Sequence, residues 1–286
     1  SQDFTMVGIG GMAGDVFGNG VLLSPHIRLV AAFDSRHIFI DPNPDAQATF
    51  PERERLFNLP RAYWSDYNQD LISEGGGIFK RSDKSIEITP QIREALDLES
   101  EIESLSPAEL IRAIIAAPVD LLYTGGTGTY VRSTEETDAD VRDATNDTMR
   151  ITVPELRVKV VGEGGNLGLT QRARIEAARH GVLLNTDAVD NSAGVETSDH
   201  EVNLKILVDR LVAAGEIAKD ERAALIEAQV EEVGQQVLQS NIDQNILLQS
   251  ERLGTRPTNS AASRFIKFLG ENAVLDRDVE FLPTND

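Results

Sequence analysis

Six residues near the start of the chain, Gly8-Ile9-Gly10-Gly11-Met12-Ala13, follow an apolar run from Phe4 to Ile9 and precede a helical segment from Gly14 to Leu23. This strand, glycine loop and helix fit the pattern G-x-G-x-x-G/A, which limits the possible folds more than any other feature. Gly8 permits a tight turn, Gly10 lets the backbone approach a pyrophosphate, and Ala13 lets strand and helix pack closely. The helix N-terminus adds free N–H groups and partial positive charge. A glycine-rich turn that holds no ligand is the alternative. Asp34 closes the next apolar run, Ile27 to Phe33, about twenty residues beyond Ala13, where a carboxylate accepts hydrogen bonds from the adenosine ribose. Such a carboxylate would repel a 2′-phosphate and so favours NAD over NADP. Arg36 pulls the other way, because an arginine can accommodate that phosphate. A plain strand-end turn is the alternative role for Asp34.

Apolar runs and turn signals alternate beyond this point. Arg36 to Ile40 reads as a small ribbon closed by the breakers Asp41-Pro42-Asn43-Pro44. Residues 45–118 form a long mixed stretch. It has helical segments near 51–58 and 90–97, a Gly75-Gly76-Gly77 turn, and a helix from Pro107 to Ala116. A capping box of Ser106 and Glu109 opens that last helix, with Pro107 at its first position. Val119 to Tyr123, Arg157 to Val161 and Val182 to Asn185 read as strands, and 168–180 as a helix. Short apolar strands alternating with helices predict an α/β fold, a doubly wound, mostly parallel, Rossmann-like sheet covered on both faces. From about Ser198 the pattern turns helical, with Ile226, Val230, Val233 and Val237 at helical spacing and a loop at Gly254–Pro257. The expected division is a Rossmann-like domain over 1–200, with an insertion at about 43–118, and a helical C-terminal region over 201–286. The chain begins with Ser1 rather than a start Met and runs into the strand-like Phe4-Thr5-Met6-Val7, which suggests a piece cut from a longer protein.

Composition narrows the function classes. With 27 Lys+Arg against 47 Asp+Glu, the formal net charge of −20 argues against nucleic-acid partners and anionic membrane surfaces. The chain has no Cys, which excludes disulfides, thiolate nucleophiles and Cys-ligated zinc. His26, His37, His180 and His200 do not fall at metal-ligand spacing, so no metal is expected. No apolar run reaches the ~18 residues of a membrane-spanning helix and no signal peptide is evident, so a cytoplasmic protein is the expectation. His200 reads as a surface residue, Asp187 and Asp190 as solvated loop carboxylates, and the acidic residues of 97–103 and 135–143 as solvated helix faces. Tyr63, Trp64 and Tyr67 read as core residues or as contacts with another domain.

Three later segments stand at strand ends: Gly125-Gly126-Thr127-Gly128-Thr129-Tyr130, Gly162-Glu163-Gly164-Gly165-Asn166, and Asn191-Ser192-Ala193-Gly194-Val195-Glu196-Thr197-Ser198. They collect at the carboxyl edge of a parallel sheet, where such sheets bind ligands. On these loops, and on the long stretches from Gly14 to Asp45 and from Val160 to Asp209, the sequence resembles the coenzyme-binding part of the very large bacterial NAD-specific glutamate dehydrogenases. The resemblance runs from about Asp3 to Gln249. It implies NAD as cofactor and the conversion of L-glutamate, NAD and water to 2-oxoglutarate, ammonium and NADH. More distantly, the loops are similar to those of the smaller hexameric glutamate dehydrogenases. By that likeness Gly164, Gly165 and Asn166 flank the nicotinamide ribose, and Asn191 reaches the nicotinamide carboxamide. Ser198 contacts the substrate side-chain carboxylate, and Asp34-Ser35 matches the Asp-Ser pair after the second strand. Gly8, Gly10, Gly11, Met12, Ala13, Gly125 and Gly126 complete the expected cofactor set.

The sequence departs from the large-enzyme pattern at two places. That pattern has Asp where Gly11 stands and Asn where Thr124 stands; the second change removes an amide that could touch the cofactor. The resemblance also implies a catalytic Lys and a proton-transferring Asp in a separate substrate domain, which these residues do not include, so no catalytic residue is assigned. Lys80, after Gly75-Gly76-Gly77, only imitates the catalytic loop. The chain alone is expected to bind NAD(H) weakly without turning over glutamate, and the full-length enzyme to be a homo-oligomer. Two alternatives remain. One is the coenzyme domain of another amino-acid dehydrogenase, for which an apolar residue would suit position 198 better. The other is a non-catalytic Rossmann-like module whose glycine loops are only turns.

Overall fold

The computed structural model describes residues 2–254, 260–272, 274–280 and 282. The chain forms two compact units, Ser1–Ala188 and Val189–Asp286. The first contains, in chain order, β1 (Phe4–Ile9), α1 (Asp15–Leu22), β2 (Ile27–Phe33), β3 (His37–Ile40), α2 (Ala46–Phe57), β4 (Gly77–Lys80), β5 (Ile86–Glu87) and α3 (Pro90–Leu96). It continues through β6 (Ser104–Leu105), α4 (Pro107–Ile115), β7 (Leu121–Thr124), β8 (Val131–Arg132), α5 (Asp138–Val141), β9 (Ile151–Thr152), β10 (Val160–Glu163) and α6 (Gln171–Arg179). Six strands make one sheet in the order β10-β7-β1-β2-β3-β4, and β5–β6 and β8–β9 are separate two-stranded ribbons. β10, β7, β1 and β2 run parallel, whereas β3 and β4 are antiparallel additions at one edge. The unit is therefore mixed α/β with a mostly parallel central sheet. β1 is the strand from which the chain builds in both directions, with β2 on one side and β7 on the other.

Side chains of a strand alternate between faces, and β1 feeds two cores. Val7 and Ile9 join a cluster with Phe33, Leu110, Ile111, Ile114 and Ile115. Met6 joins Phe17, Val21, Leu29, Phe39, Leu56 and Trp64. Burial of both faces explains why β1 and β2 read as continuous apolar runs rather than as alternating ones. α4 starts as expected: Ser106 Oγ accepts from Glu109 N–H at 3.4 Å, and Glu109 Oε2 accepts from Ser106 N–H at 2.8 Å.

Three local expectations are corrected. α2 starts at Ala46 rather than near 51, because Asp45 Oδ1 caps the N–H groups of Gln47 and Ala48 at 2.9 and 3.0 Å; the helix tolerates Pro51 in its interior. β10 begins at Val160 rather than Arg157, since Asp120 O accepts from both Lys159 and Val160 N–H and bends the entry. Val182 to Asn185 is not a strand: only Leu183 bridges to Val160, just after Gly181 turns the chain with φ +91.

In the second unit, α7 (Asp187–Asp190) leads into α8 (Ser192–Ala213), α9 (Arg222–Glu227), α10 (Val230–Gly254) and α11 (Ser260–Glu271). The apolar spacing from Ile226 to Val237 crosses the break between α9 and α10 rather than marking one helix. In the expected Gly254–Pro257 loop, Gly254 is the last residue of α10, and 255–257 lie outside the described residues. Among the described residues, no helix is long and apolar enough to cross a membrane.

Candidate cofactor-binding site

β1 and β7 lie in parallel register, Met6–Ile9 against Leu121–Thr124, so their glycine loops leave the sheet side by side. Gly10 N–H donates to Phe33 O at 2.7 Å, Gly125 N–H to Ile9 O at 2.8 Å, and Gly165 N–H to Thr124 O at 2.8 Å. The loops after β1, β7 and β10 are thus stitched backbone to backbone at the carboxyl ends of their strands. A Cβ on Gly126 would stand 3.3 Å from Ile9 O, and one on Gly165 would stand 3.0 Å from Gly126 O. Glycine lets these backbones touch.

Phe17, buried near the start of α1, gives the glycines a second task. A Cβ on Gly8 would fall 2.4 Å from Phe17 Cε2; on Gly10 and Gly125 it would fall 2.6 and 2.7 Å from Phe17 Cβ. Gly10 also has φ +149, a conformation that residues with a Cβ rarely adopt. The close-packing role expected of Ala13 is corrected. Ala13 is exposed in the turn before α1, whose N-cap is Gly14. Gly20 of α1 takes that role, since a Cβ there would lie 2.5 Å from Cε1 of Tyr123 on β7. Met12 buries its side chain in the core and leaves its backbone to the loop.

Asp34 stands at the end of β2, half-buried. Its Oδ1 accepts from the N–H groups of Arg36 and His37, both at 2.7 Å, and closes the β2–β3 turn. Its Oδ2 would lie 3.1 Å from a Cβ on Gly11, so the other oxygen faces the glycine loop. The turn role therefore leaves an acceptor available. Ser35 and Arg36 are exposed. The Arg36 guanidinium lies over the Tyr63 ring, 4.7 Å from its centroid, a cation–π arrangement. Thr124 is 1% exposed and a Cβ on Gly168 would meet its hydroxyl, so this side chain points into the interior.

Two charge networks hold the later loops, and sequence reasoning missed both. Glu163, at the end of β10, pairs with Arg174 of α6 at 2.6 Å and accepts from Leu169 N–H at 3.1 Å. Asp187 pairs with the same arginine at 3.0 Å and accepts from Leu167 N–H at 2.8 Å. Gly164, Gly165 and the exposed Asn166 sit between these anchors. Burial pushes the Glu163 carboxyl above the usual range, and Arg174 only partly offsets that. Burial also opposes the charge of Arg174, but its two carboxylates outweigh it and hold the arginine charged. Asp187 is thus a loop anchor rather than a solvated carboxylate. A charged residue closing an otherwise apolar strand was the available signal.

The second network corrects the reading of 135–143 as solvated faces. Arg150, fully buried, meets Asp138 at 2.9 Å and Asp147 at 2.6 Å, and its Nε donates to Thr129 O at 2.9 Å. Asp143 Oδ2 accepts from Thr129 N–H at 2.8 Å. The end of the Gly125–Tyr130 loop is therefore gripped on both sides of residue 129. Burial raises the Asp138 and Asp143 carboxyls, but hydrogen bonds and arginine charge outweigh it and leave both below the usual value of 3.8.

Asn191 and Ser198 belong to the second unit. Asn191 is the N-cap residue of α8, and Ser198 is exposed on that helix with its hydroxyl donating to Gly194 O at 3.0 Å. Asn241 of α10, which no motif flags, donates to Val189 O at 2.8 Å and Ser192 Oγ at 3.0 Å, bracketing Asn191. Lys80 is exposed at the end of β4, the edge strand three places from β1. Trp64 and Tyr67 are core residues, 1% and 4% exposed, while Tyr63 is 38% exposed.

Residues 1–251 match the family model described as bacterial NAD-glutamate dehydrogenase, catalytic domain. A NAD-specific glutamate dehydrogenase of Halomonas elongata is 54% identical over 285 residues, covering 100% of this chain and 18% of its own length. That of Mycobacterium tuberculosis is 51% identical over 288 residues, covering 99% of this chain and again 18% of its own length. The chain therefore spans less than a fifth of the curated relatives it matches. A crystal structure of Plasmodium falciparum glutamate dehydrogenase aligns over 83% of this chain and 46% of that one, at 15% identity and a TM-score of 0.38, an overlap too loose to bear on the fold. The family-model match over most of the chain establishes that the chain belongs to the bacterial NAD-glutamate dehydrogenase catalytic-domain family.

Proposed function

We propose that this chain is the coenzyme-holding part of an NAD-dependent glutamate dehydrogenase that converts L-glutamate, NAD and water to 2-oxoglutarate, ammonium and NADH. The observation that carries the proposal is the meeting of three glycine loops at the carboxyl ends of β1, β7 and β10, beside the free oxygen of Asp34. Parallel sheets bind dinucleotides where strand order diverges from the first strand, and β1 is that strand here. In domain terms, the first compact unit, which ends at Ala188 rather than at the expected 200, is read as doubly wound and Rossmann-like with an insertion at about 43–118, and the described residues beyond it as a helical region. The full-length enzyme is a cytoplasmic homo-oligomer.

The residues present fit the cofactor. Gly11 carries no side chain between the loop backbone and Asp34: a Cβ there would crowd that carboxylate at 3.1 Å. The backbone of Gly8, Gly10, Gly11, Met12 and Ala13, with the first N–H groups of α1, would hold the pyrophosphate. Asp34 Oδ2, with Ser35, would accept from the adenosine ribose. Gly125, Gly126, Gly164, Gly165 and Asn166 would line the nicotinamide side. Asn191 would orient the carboxamide and Ser198 the substrate side-chain carboxylate. When bound, NAD supplies a hydride acceptor. The protein's part is to fix that ring against the substrate α-carbon and exclude alternatives. The base and the group that polarises the substrate belong to the separate substrate domain, so catalytic roles fall outside this chain.

Titration of the 286-residue chain with NADH and NADPH tests the assignment. NADH is expected to bind at least about tenfold more tightly, a difference of roughly 1.4 kcal/mol, and Asp34→Ala is expected to narrow the gap. Equal affinities, or no thermal stabilisation at millimolar NADH, would remove the basis for the assignment. Glutamate-dependent NADH formation by this chain alone would show that the catalytic groups are within it.

A further inference from the structure

Trp64 lies in the stretch between β3 and β4, 54 positions from Gly10. Its indole Nε1–H donates to Gly10 O at 3.1 Å. The ring is 1% exposed, stacked on Phe39 at 4.8 Å and edge-on to Phe17 at 6.0 Å. Phe17 is the side chain that fills the space left by Gly8, Gly10 and Gly125. The peptide groups on the two sides of Gly10 are therefore both pinned. Its N–H is held by Phe33 O at 2.7 Å and its C=O by Trp64. That carbonyl belongs to the same peptide unit as the Gly11 N–H, so fixing one fixes the direction of the other. At φ +149 Gly10 has no side chain to hold this orientation, and the restraint must come from elsewhere.

We infer that Trp64 is a positioning residue for the dinucleotide loop, setting the orientation of the Gly10–Gly11 peptide toward the cofactor phosphates through its indole N–H. The inference rests on the proposed NAD-holding role of that loop. It gives the stretch between β3 and β4 a part in cofactor affinity that acts through the backbone of the glycine loop.

The chain contains a single Trp, so replacing the indole by benzothiophene alters position 64 alone and exchanges N–H for sulfur at nearly constant shape. Trp64→Phe is the second variant and keeps part of the ring stack. Calorimetric NADH titration of the whole chain, thermal denaturation, and the amide chemical shifts of Gly10, Gly11 and Met12 are read for parent and variants. The expected result is a roughly 3- to 10-fold weaker NADH affinity, the size of one lost hydrogen bond, with shifts concentrated at Gly11 and Met12. A merely structural role would lower the melting temperature and leave the affinity unchanged in molecules that remain folded. NADH affinity within twofold of the parent in both variants would overturn the positioning role while leaving the cofactor assignment standing. Failure of the parent itself to bind NADH would sink the assignment and this inference with it.

Discussion

Arg174→Met is the sharpest test of how the Gly164–Asn166 loop is held. Arg174 is 6% exposed and neutralises Glu163, whose side chain is fully buried, and Asp187, which is 14% exposed. Methionine fills similar volume but removes a cation that pairs with both carboxylates. Breaking a buried pair from one side costs about 3–5 kcal/mol, because the remaining charge is stranded. For a compact unit of this size, each kcal/mol moves the melting temperature by roughly 2–4 °C, so a fall of about 6–20 °C is expected. The pH dependence has a definite sign. Glu163 is already held above its ordinary value of 4.5 by burial, and loss of Arg174 raises it further. The folded variant then binds a proton more readily than the unfolded chain. Its deficit is present above the raised folded value and shrinks as pH falls through that value toward the unfolded one. Adding Glu163→Gln should recover a substantial part of the loss, which makes a double-mutant cycle informative. Melting at pH 7 and pH 5, followed by circular dichroism for the parent, both singles and the double, provides the measurement. A single-mutant shift below about 2 °C, or no recovery in the double, would refute the account of a charge-bound loop.

Gly10→Ala should cost roughly 2–4 kcal/mol from strain at φ +149 and overlap with Phe17. Ala13→Ser, at an exposed turn position, should stay within about 0.5 kcal/mol, and urea unfolding of both variants checks the contrast. The Arg150 cluster predicts acid lability. Asp138 and Asp143 are held below 3.8 in the fold, so the stability they contribute is present above that value and lost as pH falls through their lower folded values. Unfolding free energies measured between pH 6 and pH 3 should fall at the acid end, and Arg150→Met should flatten the slope; a flat parent profile would contradict the assignment.

Much of the fold was legible because local physics governed it. β2 and α4 appeared almost residue for residue where apolar runs and the Ser106–Glu109 capping box placed them. Errors came where a cap or a single hydrogen bond outweighed composition. Asp45 started α2 early in spite of Pro51, and Asp120 O delayed β10. The candidate site was legible only in part. Glycine spacing marked the loops, but not the reason for each glycine. Gly8, Gly10 and Gly125 converge on Phe17 from two distant segments, which no one-dimensional pattern records.

Alternation of short buried strands with helices, together with the glycine loop that opens the chain, sufficed to set a mostly parallel α/β unit and to nominate its carboxyl edge. These signals are local, carried by backbone geometry and side-chain periodicity. The support of that edge was decided by tertiary structure alone. Trp64 reaches Gly10 across 54 positions, Arg174 gathers Glu163 and Asp187, and Arg150 holds residue 129. Each is a buried polar contact whose stability depends on excluding water around both partners. Burial is a property of the assembled fold, so the same residues read as solvated or ordinary until the packing that surrounds them is known.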